Sequence, residues 1–268
     1  LVGSEMCIRD RYKRGNNLEI YSGCGNTFII CMYQSQKDHA AYAQKVCKNE
    51  IDGFVMVKTR PLEMVLYNQD GSLASMCGNG IRCFIEYCYR HHIIKEEENK
   101  VLTLSGMIDT KIINLSPFMV YVRMNEPVFT YIDNRIYLDE PIVVNNHIYK
   151  ISLVNTGVWH GIIIPDNFRQ ALEDASSIRN LPLFKEYLNL DIVMIINDIY
   201  VKTYERGVGF TKACGTGVMA TFVILKKLKL LTSNQVIIRT DGGYIEVGKD
   251  EKNLYILGPS RYLGNYKD

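Results

Sequence analysis

The sequence predicts an α+β protein built from two pseudo-symmetric halves, each a curved, mostly antiparallel sheet wrapped around one central helix, with an active cleft between them. Three observations carry that expectation. Short runs of Val, Ile and Tyr bounded by turn residues recur along the chain. Helix-like runs are few. Finally, Cys-Gly-polar-Gly followed by an apolar run occurs twice, as "CGNGIRCFI" (77–85) and "CGTGVMATF" (214–222), about half the 268-residue chain apart.

A strand-like rhythm begins near Leu18. Before it, "LVGSEMCIRDRY" shares no pattern with the rest of the chain, and residues 1–17 are read as a tail, disordered or an artefact of sequencing or gene reading. The first half is expected over 18–120, with a returning C-terminal strand at 257–268, and the second over 121–256. Strands are expected at "FIICMY" (28–33), "GFVMVKT" (53–59), "EMVLYN" (63–68), "VYVRM" (120–124), "IYLDEPIVV" (136–144), "HGIIIP" (160–165), "IYVKTYE" (199–205), "VIIRT" (236–240) and "YIEVG" (244–248). The turns "NQDGS" (68–72) and "TDGGY" (240–244) suit tight hairpins. After Cys77, the residues Ile81, Phe84, Ile85 and Cys88 form a helical stripe. After Cys214 the run is apolar on nearly every side, which predicts a buried helix. Two surface helices are expected at 39–49 and 165–178, the second capped by Asp166.

Composition narrows the function classes. A net charge of +2 gives no argument for nucleic acid or an anionic membrane as partner. No apolar run approaches the roughly 20 residues of a membrane span, and no secretory signal pattern is present. Eight cysteines without a CxxC pair, beside five histidines, do not suggest a structural metal site. A reduced, cytoplasmic protein is the expectation.

The paired turns carry chemistry. The first N–H groups of a helix lack intrahelical partners and bear partial positive charge, which suits a carboxylate. A cysteine there has its thiolate stabilised. One such turn is ordinarily packing; two matched ones suggest two thiols facing one carboxylate pocket. One thiolate can remove the α-proton of an amino acid from one face while the other thiol returns a proton to the opposite face. Such a reaction needs no imine cofactor, and the chain has no dinucleotide GxGxxG and no P-loop.

"YNQDGSLASMCGNGIRCF" (67–84) and "YERGVGFTKACGTG" (204–217) resemble the two signatures of the diaminopimelate epimerase family, a cofactor-independent family acting through two cysteines. "SGCGNTF" (22–28), "IDGFVMV" (51–57), "DGGYIEV" (241–247) and "LGPS" (257–260) extend the resemblance from about residue 18 onward. The resemblance implies Cys77 and Cys214 as the acid–base pair. It implies backbone N–H groups of Gly78, Asn79, Gly215 and Thr216 as holders of the reacting carboxylate, and Asn26 and Asn68 as walls of the pocket. Glu205 and Arg206 would bind the far end of the substrate, Glu205 also tuning Cys214, and His160 would orient or tune Cys77. It further implies a homodimer, a small amino acid substrate, and a place in making lysine and cell-wall precursors. Each residue also has a plainer reading: turn formation for Asn68 and Asn79, a surface pair for Glu205 and Arg206, a core histidine for His160.

The sequence departs from the family at the distal pocket. Val158 and Trp159 stand where the family has Asn-Pro, and near "NLDIVMI" (189–195) Asp191 is the nearest counterpart to a second pocket asparagine. Trp159 reads as core or as a ligand wall. Three functions are therefore weighed: epimerisation of LL-diaminopimelate to the meso form, racemisation of another amino acid such as histidine, and amino acid binding without catalysis.

Overall fold

The computed structural model of the chain describes residues 17–35, 38–48, 51–184, 188–250 and 253–267. The tail expected at 1–17 lies, apart from Asn17, outside these residues. The first half runs β1 (Glu19–Gly23), β2 (Asn26–Met32), α1 (His39–Val46), β3 (Gly53–Thr59), β4 (Leu62–Asn68), β5 (Leu73–Ala74), α2 (Gly78–Arg90), β6 (Glu98–Thr103), β7 (Gly106–Leu115) and β8 (Phe118–Met124). After β9 (Glu140–Val144) the same order returns: β10 (His147–Asn155), β11 (Trp159–Ile163), α3 (Phe168–Arg179), β12 (Leu188–Ile195), β13 (Ile199–Glu205), β14 (Gly209–Phe210), α4 (Gly215–Lys227), β15 (Gln235–Thr240), β16 (Gly243–Lys249) and β17 (Leu254–Asn265).

Pairing repeats with the order. The parallel pairs β2–β3 and β11–β12 are bridged by α1 and α3, and the parallel pairs β4–β6 and β13–β15 by α2 and α4. Parallel neighbours need a crossover, and here each crossover is a helix. The hairpins between them are antiparallel in both halves. Strand β17 belongs to both sheets. It pairs with β16 through Leu254–Leu257, with β8 through Leu254–Ser260, and with β1 through Arg261–Asn265. The first sheet continues past residue 120, because β8 runs to Met124 and pairs with both β7 and β17.

Both central helices are buried. Every residue of α2 from Gly78 to Cys88 is buried, including the expected stripe, and α4 is buried from Gly217 to Leu225. Local details differ from the sequence reading. Asn167, not Asp166, caps α3, its Oδ1 accepting from Gln170 N at 3.1 Å. The run 136–144 is a strand only from Glu140, because Asp139 takes a left-handed conformation (φ 55°) that breaks the extended chain. Asp174 on α3 pins the β9–β10 hairpin, accepting from Tyr149 Oη (2.6 Å), Asn145 Nδ2 (2.7 Å) and His147 Nδ1 (2.8 Å). The Tyr149 bond, with those of Asn145 and His147, pulls its carboxyl down to about 2. Among the described residues no helix is long and apolar enough to cross a membrane.

Candidate active site

The two cysteines are the N-caps of the two central helices. Cys77 (φ −140°, ψ 116°) and Cys214 (φ −125°, ψ 112°) are extended, and helix begins at the glycine after each. The helix starts meet: a Cβ built on Gly215 would lie 3.5 Å from Gly78 Cα. Two positive helix ends therefore converge on the floor between the halves, where an anion is favoured. The Gly80 N–H donates to Cys77 Sγ at 3.3 Å, and the Asn79 N–H also faces that sulfur.

Cys214 sits at the end of a buried polar chain. Its Sγ is 3.3 Å from the Thr216 hydroxyl, which is 3.0 Å from His160 Nε2. His160 Nδ1 donates to Asp191 Oδ2 at 2.6 Å, and the Thr203 hydroxyl donates to Asp191 Oδ1 at 2.6 Å. In the neutral imidazole this leaves the Nε2 lone pair for the Thr216 hydroxyl. His160 and Asp191 are both fully buried. Glu205 also turns to Cys214, and its Oε1 accepts from the Thr211 hydroxyl at 2.7 Å. The family resemblance assigns His160 to Cys77. The structure joins it to Cys214 instead, because β11 lies beside β12 and over the start of α4.

On the Cys77 side the polar chain is made of amides. Asn79 Nδ2 donates to Asn26 Oδ1 and to the carbonyl of Ala213, the residue before Cys214. Arg82 Nη2 donates to Asn79 Oδ1 at 2.7 Å. Asn26 in turn bonds the carboxyl of Asp52, which also accepts from Thr27 N at 2.6 Å. Asn79 therefore links the two halves directly beneath the thiols.

The remaining expected residues lie on two equivalent turns. Asn68 is exposed on the β4–β5 turn, its Nδ2 donating to Ser72 Oγ at 3.0 Å, and it does not join the buried network. Arg206 is exposed on the β13–β14 turn, with no side-chain ion pair among the described residues. Its N–H donates to Asn189 Oδ1 at 2.9 Å. The sequence points to Asp191 as the counterpart of a second pocket asparagine; Asn189 is the residue that meets Arg206. Trp159 is half-buried and packs against the core of the second half, edge-on to Tyr131 at 4.8 Å. Val158 is 40% exposed in the neighbouring turn. Arg82 and Asn189 are site residues the sequence does not disclose, and it does not disclose Asp191 as the partner of His160. The available signals are a cation near the start of an apolar helix and two polar residues in an apolar strand.

Burial pushes both thiols above the ordinary range. At Cys77 the Gly80 and Asn79 N–H groups and Arg82 oppose that rise, while Glu205 adds to it. At Cys214 the carboxylates of Glu205 and Asp191 add to burial, and the thiol stands well above its usual value. Burial likewise raises Glu205, against the Thr211 bond and His160. Among the described residues no group of three or more His, Cys, Asp or Glu is placed to hold a metal ion.

The sequence profile of the diaminopimelate epimerase family matches residues 19–130 and 152–263, one segment in each half. The diaminopimelate epimerase of Alkaliphilus metalliredigens is 32% identical over 89% of this chain and 92% of its own. That of Methanococcus aeolicus is 32% identical over 91% of this chain and 95% of its own. Among solved structures, a probable proline racemase from Agrobacterium radiobacter superposes with a TM-score of 0.71 at 14% identity, covering 95% of this chain and 93% of its own. A Bacillus anthracis phenazine biosynthesis protein of the PhzF family gives 0.69 at 15% identity, covering 94% and 98%. The family profile and these relatives together define the chain as an isomerase of the epimerase class. Within it, the chain belongs to the diaminopimelate epimerase family.

Proposed function

We propose that this enzyme converts LL-diaminopimelate to the meso form by two-base proton transfer at the α-carbon, as a step toward lysine and cell-wall precursors. The observation that carries this reading is the meeting of two cysteine-capped helix starts. The α-carboxylate sits against the free N–H groups of both first turns, where charge developing on it in the transition state is stabilised by fixed dipoles. One sulfur, as thiolate, takes the α-proton; the other, as thiol, protonates the opposite face. Holding both sulfurs in line with one carbon supplies much of the rate.

The surroundings of the two thiols suit opposite starting states. Cys77 faces backbone donors, with the buried guanidinium of Arg82 behind them on the Gly78 carbonyl. Cys214 faces Glu205 and, through Thr216 and His160, Asp191. While Cys214 holds its proton, the Thr216 hydroxyl donates to His160; once the proton leaves, the hydroxyl turns to the sulfur. Arg206, supported by Asn189, grips the distal carboxylate with two parallel hydrogen bonds.

A second reading, racemisation of another amino acid, draws on the distal turn. Val158 offers no side-chain amide there, and Asn155 Oδ1 is held by Gly157 N at 2.9 Å. A panel decides between them. LL-diaminopimelate and the common L-amino acids are incubated with enzyme in heavy water, and α-deuterium is read by NMR. Exchange on diaminopimelate far above the rest is expected. Exchange on histidine or another single-headed amino acid, with none on diaminopimelate, overturns the first reading and leaves the thiol mechanism standing.

A further inference from the structure

Arg82 is an anomaly in the core. Its side chain is fully buried, and all its acceptors are neutral: Pro259 O (3.3 Å), Gly78 O (3.0 Å), Asn79 Oδ1 (2.7 Å) and Cys24 Sγ (3.5 Å). Among the described residues it has no ion-pair partner. Buried charges are ordinarily paired, because an isolated ion in a low-dielectric interior is strongly disfavoured. The fold also makes room for this one. A Cβ on Gly258 would lie 3.0 Å from the guanidinium carbon, so any side chain there would press Arg82 back by a few tenths of an ångström.

What the cation faces is the first turn of α2. Nη1 bonds the carbonyl of Gly78, which belongs to the same peptide unit as the Asn79 N–H. A guanidinium on the oxygen of a peptide polarises it and strengthens the donor at its other end. That donor and the Gly80 N–H point at Cys77 Sγ. The other charged side chain bearing on this sulfur is Glu205, of opposite sign, and across the floor lies Cys214 with Glu205 and Asp191.

We propose that Arg82 is a positioning residue that acts through the Gly78–Asn79 peptide as the fixed counter-charge of an anionic Cys77, making Cys77 the thiolate and Cys214 the thiol of the resting pair. The missing ion-pair partner of Arg82 is the reacting centre itself, which carries negative charge during turnover. The assignment rests on the two-thiol reading but not on the identity of the substrate.

Alkylation by iodoacetamide, located by peptide mass spectrometry and followed against pH, tests it without any substrate. In the unmodified enzyme Cys77 reacts at lower pH than Cys214. In full-length Cys214→Ser protein, adding Arg82→Met raises the pH midpoint of Cys77 alkylation by about 1 unit or more. Arg82→Lys, which keeps the charge with fewer donors, recovers part of that shift. In the two-cysteine enzyme, Arg82→Met lowers kcat/KM on the order of a hundredfold, and Arg82→Lys restores part of it. Cys214 reacting first in the unmodified enzyme overturns the assignment whether or not the variants fold. An unchanged midpoint in a folded Arg82→Met protein does the same, as does an equal shift in the Lys and Met variants. Failure of the enzyme to act on diaminopimelate would leave the alkylation result intact.

Discussion

His160 donates to Asp191 at 2.6 Å in a fully buried pair, and this pair addresses Cys214 and not Cys77. Asp191 fixes which ring nitrogen carries the proton, and so fixes what the other nitrogen can offer Thr216. Asp191→Asn removes that control, since an amide can present a donor to Nδ1 as readily as an acceptor. The expected result is a fall in kcat/KM of about a hundredfold or more. The fall must be equal in both reaction directions, because the equilibrium constant is unchanged. Gly217→Ala makes a second probe: its Cβ would collide with Asp191 Oδ1 while leaving both cysteines in place. Full activity in folded Asp191→Asn protein, assayed by NMR in each direction, would show the pair to be structural only.

The two thiols are tested by isotope. Replacement of either Cys77 or Cys214 by Ala should abolish inversion by several orders of magnitude. In heavy water the unmodified enzyme should place deuterium in the inverted product at initial rates. Substrate hydrogen retained in that product would argue for a single base.

The contact between the helix starts makes the site sensitive to oxidant. Two cysteines capping helices that touch at Gly78 and Gly215 can pair when the cleft is empty. Oxidation should inactivate, and a reductant should restore, with a thiol-reactive label following the same course. A disulfide mapped to any pair other than Cys77–Cys214 in the inactive protein would contradict this.

Asp174 gives a prediction about acid stability. Its folded pKa, about 2, lies below the ordinary carboxylate value of roughly 3.9. Its contribution is therefore fully present above about pH 4 and is lost as pH falls toward about 2. Asp174→Asn should lower the urea midpoint near neutral pH, by on the order of 2 kcal/mol in unfolding free energy. It should also flatten the loss of stability between those pH values. A variant with the same acid slope as the parent would mean that other carboxylates set it.

The cysteine caps and central helices were legible in the sequence because glycine at a helix start and an apolar run after it are local signals. The strands of the second sheet were legible where Val and Ile cluster, as in β11 and β13. Strand β17 was expected as a returning strand at 257–268 and runs over Leu254–Asn265; what stayed hidden is its use by both halves, since Gly258, Pro259 and Gly264 interrupt it and a proline argues against an interior strand. Pro259 is accommodated as part of a 12-residue strand whose two ends serve different sheets. The partner of His160 was hidden for another reason. Asp191 is 31 residues away, and only the parallel register of β11 and β12, which pairs His160 with Asn189, puts Asp191 diagonally across from it on the same face. In the same way "LGPS" and "CGNGIRC" each resemble the family, yet that they form one contact, Gly258 against Arg82, is a fact of three dimensions.

Strand β17 has a consequence for how the molecule is made. Its residues are translated after both central helices, yet they supply the seam between β8 and β1 in the first sheet and the outer neighbour of β16 in the second. A nascent chain that has emerged only as far as residue 250 lacks the strand that pairs with β1, β8 and β16. Closure waits for contacts of very long sequence separation, which are slow to form. Until then the open edges are exposed to wrong partners. A chain stopped short of that strand therefore lacks the seam through which β1, β8 and β16 meet, and with it the shared wall on which both cysteine-capped helices rest.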